Sequence, residues 1–275
     1  MQHLTIDPMR LFSQSLIWLG IVSLSILATK PATAETKTAV SGNVRVEISY
    51  EQPEEYQFKN VRLKIIRAGQ VVLDRQMPQE SEYDRPVAAI APENALPVVD
   101  LDGDKEPEII ADFYTGGAHC CTYSLIYRYN SAQNSYTSIR HDWGNVGYRL
   151  KDLNQDGLPE FDSLDDRFAY AFSSYAGSGF PLQIWQYRQG KMANVTRRYP
   201  QLIKNHAYQM WQEYTQARKE DYEVKGFLTA YLADKYLMGQ GQDGWQRVEV
   251  AYRESDRAQY FSELRRFLRE TGYLQ

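Results

Sequence analysis

Asp100-Leu101-Asp102-Gly103-Asp104-Lys105-Glu106-Pro107-Glu108 is one of two acidic stretches around which this chain repeats itself. The other runs Asp152-Leu153-Asn154-Gln155-Asp156-Gly157-Leu158-Pro159-Glu160. Both carry oxygen-bearing side chains at the first, third, fifth and ninth positions, with proline at the eighth. Carboxylates at this density repel one another unless a cation lies among them. A hard cation such as Ca2+ takes about six to eight oxygens, which a tight loop with ligands at alternate positions supplies. The pattern therefore predicts two Ca2+ sites. An EF-hand is excluded, because its bidentate glutamate position falls on Ala111 and Ser163 and the flanks read as strands. Mg2+ fits less well, since it keeps its waters and accepts few protein carboxylates.

Each loop sits in a longer repeat. A short apolar run precedes it, Val98-Val99 in one copy and Tyr148 to Leu150 in the other. An apolar segment follows, then a glycine turn opened by tyrosine, Tyr114-Thr115-Gly116-Gly117 and Tyr175-Ala176-Gly177-Ser178-Gly179. Matching strands come next, Ile126-Tyr127-Arg128-Tyr129 and Ile184-Trp185-Gln186-Tyr187, with an insertion in the second copy. The copies span about 96–145 and 148–196. Strand, acidic loop and three further strands resemble one blade of a propeller.

The loops look like the Ca2+ loops of FG-GAP (VCBS-type) repeats, the blades of integrin α-subunit propellers and of many exported bacterial proteins. That resemblance implies side-chain ligands Asp100, Asp102, Asp104 and Glu108 with the backbone carbonyl of Glu106. In the second loop it implies Asp152, Asn154, Asp156 and Glu160 with the carbonyl of Leu158. Two departures stand out. Both loops end in Glu where the family has Asp, and Lys105 occupies a place where glycine is usual, with Gly103 one step earlier to relieve the turn. Two units cannot close a ring, so an open or irregular β assembly is expected.

Arg10, the apolar run Leu16 to Ala28 and the closing Ala32-Thr33-Ala34 read as a secretory signal over residues 1–34, with cleavage between Ala34 and Glu35. Asp7 and the length before Arg10 make Met9 an alternative start. The apolar run is too short to span a bilayer comfortably, so no stable membrane span is expected once the signal is cleaved. A net charge of −4 gives no footprint for nucleic acid or anionic lipid.

The expected architecture is α+β: a β-rich domain over 35–196 and an α-helical region over 197–275. Alternation at Val44, Val46, Ile48 and Tyr50, then at Val61, Leu63 and Ile65, predicts strands, and Ala68-Gly69-Gln70 turns the chain into a hairpin. Val87 to Ile90 reads as one more short strand. After Pro200 the apolar period becomes helical, with stripes at Ile203, Ala207, Met210 and Tyr214, and at Phe227, Leu228, Tyr231 and Leu232. Gly239 ends the second helix, a shorter segment covers Trp245 to Tyr252, and Ser255 caps a last helix that Gly272 terminates.

Cys120 and Cys121 follow Gly116-Gly117-Ala118-His119 and are the only cysteines. Adjacent Cα atoms lie about 3.8 Å apart, below the usual disulfide range. Three readings remain open: a vicinal disulfide stiffening the loop, two buried thiols, or a thiolate site with His119. Structure is favoured over chemistry. No H-x-x-x-H spacing and no G-x-S-x-G elbow is present. The sequence thus predicts a periplasmic or secreted, non-enzymatic, calcium-binding module that presents a rigid surface to a protein or glycan. An exported hydrolase using the acidic loops and a thiol-redox protein are the alternatives.

Overall fold

The computed structural model describes residues 34–79, 83–90, 96–118 and 120–274. Most of the expected signal segment and His119 lie outside these residues. Among them are thirteen strands in three antiparallel sheets, followed by helices.

The first sheet is a meander of β1 (Ala34–Ser41), β2 (Val44–Glu54), β3 (Gln57–Arg67) and β4 (Gln70–Gln76). Val44, Val46, Ile48 and Tyr50 point to one face, as their alternation requires. The second sheet comprises β5 (Arg85–Pro86), β6 (Val98–Val99), β7 (Glu108–Gly117), β8 (Cys120–Asn130) and β9 (Ser135–Gly144). Both β5 and β6 pair with β7. The third is a meander of β10 (Tyr148–Lys151), β11 (Glu160–Leu164), β12 (Leu182–Arg188) and β13 (Lys191–Asn194).

The layers follow chain order. Ile109, Ala111, Phe113, Tyr123 and Tyr127 of the second sheet bury one face against Val46, Leu63 and Ile65 of the first. Ile110, Ile126 and Trp143 on the opposite face meet Phe161 and Tyr187 of the third. Strand β7 is therefore buried on both faces, which explains its unbroken apolar run Ile109-Ile110-Ala111. Leu182, Ile184 and Val195 turn away from the second sheet onto Ile203 of the first long helix.

Val87–Ile90 forms a single helical turn, α1, and not the expected strand; four residues are too few for periodicity to separate the two. The C-terminal helices are α2 (Pro200–Lys219), α3 (Lys225–Leu237), α4 (Gly241–Ala251) and α5 (Arg257–Glu270). Pro200 opens α2 at a position where its missing N–H is harmless. Buried Ile203, Ala207, Met210 and Tyr214 mark the α2 stripe, and Leu228, Tyr231, Leu232, Tyr260, Leu264 and Leu268 complete one helical core. Helix α5 begins one residue later than expected. Asp256, not Ser255, stands at its N-cap position, where its carboxylate receives the Lys225 ammonium at 2.5 Å and the Tyr252 hydroxyl at 2.7 Å. No helix among the described residues is long and apolar enough to cross a membrane.

Candidate metal centre

Both acidic stretches connect the first and second strands of a four-strand meander. The first leaves β6 at Val99, paired with Glu108; the second leaves β10 at Lys151, paired with Glu160. The backbones match closely. The fourth and sixth positions are left-handed in each loop: Gly103 (φ 83°) and Lys105 (φ 70°), Gln155 (φ 62°) and Gly157 (φ 89°). Gly103 therefore does not relieve Lys105, because both turns are needed. Each loop places glycine at one of them and a side-chain-bearing residue at the other.

The first residue of each loop organises the turn. Asp100 accepts the amides of Asp102 (3.2 Å), Gly103 (2.7 Å) and Lys105 (2.9 Å). Asp152 accepts those of Asp156 (3.0 Å) and Gly157 (2.9 Å). The ninth residue closes it from beneath. Glu108 Oε2 accepts the Leu101 amide at 3.0 Å, and Glu160 Oε2 the Leu153 amide at 2.9 Å. A glutamate reaches this inward position from the start of the second strand.

Beyond that point the loops diverge. In the first, donor oxygens of Asp100, Asp102 and Glu108 converge within 4.8 Å of one another, the one such group of three among the described residues. The Asp102 and Glu108 side chains are 2% and 1% exposed, yet Asp102 Oδ1 and Glu108 Oε1 have no hydrogen-bond partner. Burial pushes the Glu108 carboxyl up to about 8 against the Leu101 amide, and Asp102, Asp104 and Asp100 raise it further. Asp104 is turned elsewhere, with Oδ1 on the Glu106 amide (2.8 Å) and Oδ2 on Arg128 Nη2 (2.7 Å). The Glu106 carboxylate pairs with Arg67 at 2.5 Å. Of the expected side-chain ligands, three are brought together and Asp104 is diverted.

The second loop satisfies itself. Asn154 donates to Asp156 Oδ2 at 2.9 Å, and Asp156 Oδ1 accepts the Leu158 amide at 2.9 Å. These bonds, Asn154 first, hold the Asp156 carboxyl below its usual range. Glu160 Oε1 accepts Gln186 Nε2 at 2.6 Å, so both oxygens of this buried carboxylate are used. The sequence separates the loops in part, with five acidic residues in the first against three in the second and Asn154 in place of an aspartate. The contribution of Gln186, from a strand far along the chain, is not visible in either loop.

Unpaired buried carboxylate oxygens are costly in a protein interior. A divalent cation among Asp100, Asp102 and Glu108 removes that cost, and its hard-oxygen preference matches the donor set. The residues present fit such an ion.

Two further features surround the repeats. A cleft of about 650 Å3 opens between β9 and the third sheet, lined by His141, Asp142, Trp143, Asp166, Gln183 and Trp185. The His141 ring lies 4.2 Å from Trp143 and 4.7 Å from Trp185, and burial, partly offset by Asp142, lowers its pKa. Behind Trp143, its indole N–H donates to Ser124 Oγ at 2.7 Å, Ser124 donates to Asp112, and the Tyr148 hydroxyl donates to Asp112 at 2.8 Å. Sequence reasoning passed over Asp112; a carboxylate between Ala111 and Phe113 in an apolar strand was its one signal. Cys120 and Cys121 are paired with each other across a cis peptide bond, and the Cys121 amide donates to Thr115 Oγ1 at 2.8 Å.

Residues 203–272 match the family model of the sll0997 C-terminal domain. That segment runs from within α2 to just beyond α5. The "Probable thylakoid lumen protein sll0997" of Synechocystis sp. is 34% identical over 224 residues, covering 78% of this chain and 63% of that protein. The "Uncharacterized protein y4bJ" of Sinorhizobium fredii is 29% identical over 224 residues, covering 78% of this chain and 33% of that protein. The chain thus spans less than two thirds of either relative. No solved structure matches.

These matches overturn the FG-GAP (VCBS-type) assignment. The family match falls on the helices, and no FG-GAP match accompanies it on the loops. The physical reason lies in what a nine-residue loop can specify. Alternating Asp and Asn side chains fix a turn through local amide bonds, whichever fold carries it.

Proposed function

We propose that this is an extracytoplasmic, non-enzymatic binding module whose first acidic loop takes one calcium ion. The observation that carries the reading is the pair of buried, unpartnered oxygens, Asp102 Oδ1 and Glu108 Oε1, facing Asp100. An extracytoplasmic location is supported by the signal-like N-terminus and by the name of the Synechocystis relative, a probable thylakoid lumen protein. In this reading the second loop stands as a self-bonded copy, closed by Asn154 and Gln186. The cleft beside Trp185 is the recognition surface, with aromatic faces and flanking Asp142, Asp166 and Gln183 suited to a glycan.

The test is thermal unfolding of the full chain after chelator treatment. Calcium at about one hundred times its dissociation constant adds about 2.7 kcal/mol, which raises Tm by roughly 5–10 °C. Asp102→Ala is expected to abolish the rise, while Asn154→Ala leaves it intact. An unmoved Tm in the wild-type chain at millimolar calcium overturns the reading.

A further inference from the structure

We propose that Arg128 is the internal counter-cation of the first loop and sets how tightly that loop takes a divalent ion. This rests on the calcium reading of the same loop. Arg128 projects from β8 with Nη2 anchored on Asp104 Oδ2 at 2.7 Å. Its Nε stands 3.7 Å from Asp102 Oδ2 and 3.8 Å from Glu108 Oε1, beyond hydrogen-bond reach of both. Nε has no hydrogen-bond partner of its own. The guanidinium therefore faces both side chains at close range without bonding them, and Asp102 Oδ1 and Glu108 Oε1 stay unfilled.

That arrangement has a direct electrostatic consequence. Without metal, Arg128 is the positive charge nearest Asp102 and Glu108, and it keeps the buried carboxylates tolerable. With metal, the same guanidinium faces a like charge, and its attraction to the ligands is redundant. Ion and arginine compete for one set of carboxylates. Because Nη2 is tied to Asp104, which lies outside the converging three, the head group can swing away from Asp102 and Glu108 and keep its anchor.

The internal repeat supplies the control. Gln186 on β12 stands where Arg128 stands on β8, two residues after the matching isoleucine and one before the matching tyrosine. Its neutral amide bonds Glu160 Oε1 at 2.6 Å. One strand position thus faces the ninth loop residue in both copies. Where it holds glutamine the glutamate is satisfied by the chain, and where it holds arginine an oxygen is left over for a metal.

Calorimetric titration of CaCl2 into the chelator-stripped full chain tests this, with wild type, Arg128→Ala and Arg128→Lys compared. Loss of one adjacent positive charge is expected to lower the calcium Kd about tenfold or more in Arg128→Ala. Arg128→Lys, which keeps the charge, is expected to stay within about threefold of wild type. Metal-free Arg128→Ala should melt below metal-free wild type, with the gap closing at saturating calcium. Should alanine fail to fold, Arg128→Met keeps the stem and carries the same expectation. Calcium binding in wild type with an equal or weaker affinity in Arg128→Ala or Arg128→Met overturns the role of Arg128 alone. Absence of binding in every chain overturns the calcium reading and this inference together.

Discussion

Asp234 on α3 holds the backbone amide of Leu182 on β12 at 3.1 Å. The carboxylate is fully buried, and its other oxygen lies 2.7 Å from His206 Nδ1 on α2. One side chain therefore binds two helices to the first residue of a sheet strand. Arg197 reinforces the junction by donating to the carbonyls of Tyr236 (3.2 Å) and Leu237 (2.6 Å) at the α3 C-terminus, where a cation is favoured. Tyr273 donates to buried Asp165 at 2.9 Å from beyond α5. The helices and the third sheet should unfold as one unit. Asp234→Ala strands the Leu182 amide and removes the His206 contact, and is expected to cost about 3 kcal/mol. Urea unfolding followed by far-ultraviolet dichroism and by tryptophan fluorescence checks this: the two transitions should shift together, and separate midpoints in wild type would sink the idea.

Asp112 makes stability depend on pH. Burial raises its carboxyl from 3.8 to about 6, against the bonds from Ser124 and Tyr148 that lower it. Between about pH 4 and 6 the folded chain holds a proton that the unfolded chain has released. This contribution is therefore fully present below pH 4 and is lost as pH rises towards 6. Asp112→Asn removes the titration. Relative to wild type, the variant should gain roughly 3 kcal/mol on going from pH 3.5 to pH 7. Urea midpoints at both pH values measure the gain, and parallel profiles for the two chains contradict the assignment.

The two loops offer a matched pair of backbone tests. Lys105 takes a left-handed conformation that glycine adopts freely, so Lys105→Gly should stabilise the chain by about 0.5–1 kcal/mol. Gly157 has φ 89° with open space where a Cβ would stand, so Gly157→Ala is opposed by backbone strain alone, about 1–2 kcal/mol. Opposite signs at equivalent positions are the expected result of denaturant titration. Equal signs would mean that the loops do not share a backbone.

How far the fold was legible follows from where its determinants lie. The strands flanking the acidic loops, and the stripes of α2, α3 and α5, are local patterns, and the chain displays them openly. Strand β1 was not read, because its residues Ala34 to Ser41 are an exposed, mostly polar edge whose pairing is supplied by β2. The loops themselves are legible as turns, and five acidic residues against three is the one local sign that the first depends more on an ion. Arg128 and Gln186 reach them from other strands, and Gln189 donates its amide to Asp102 at 2.9 Å from the far end of the next sheet. Such pairings are created by the layering, so no window of sequence contains them. The FG-GAP resemblance failed on the same ground, because it took a local turn chemistry as a mark of the whole fold.

The second glycine turn shows what the insertion in the second repeat does. In the first repeat β7 and β8 are joined by a tight hairpin after Gly116-Gly117. In the second, residues 165–181 separate β11 from β12, and Phe168, Phe172 and Phe180 from this segment enter the helical core. The segment is held against α3 by direct backbone approach. A Cβ on Gly226 would collide with the Gly177 carbonyl and stand 2.7 Å from Ser173 Oγ and 2.8 Å from Ser178 Cα. One on Gly179 would stand 2.7 Å from the Gly226 carbonyl and 2.9 Å from Phe227 Cα. These neighbours are mostly backbone and cannot yield as a flexible side chain would. Gly226→Ala therefore forces the 173–180 loop off the helix, even though alanine favours an isolated helix by about 1 kcal/mol. Overpacking of this kind costs about 1–3 kcal/mol, so the net change is expected to be destabilising by up to about 2 kcal/mol. An increase in the urea midpoint on Gly226→Ala would show that helix propensity dominates and that the glycine contact is not what seats the inserted loop.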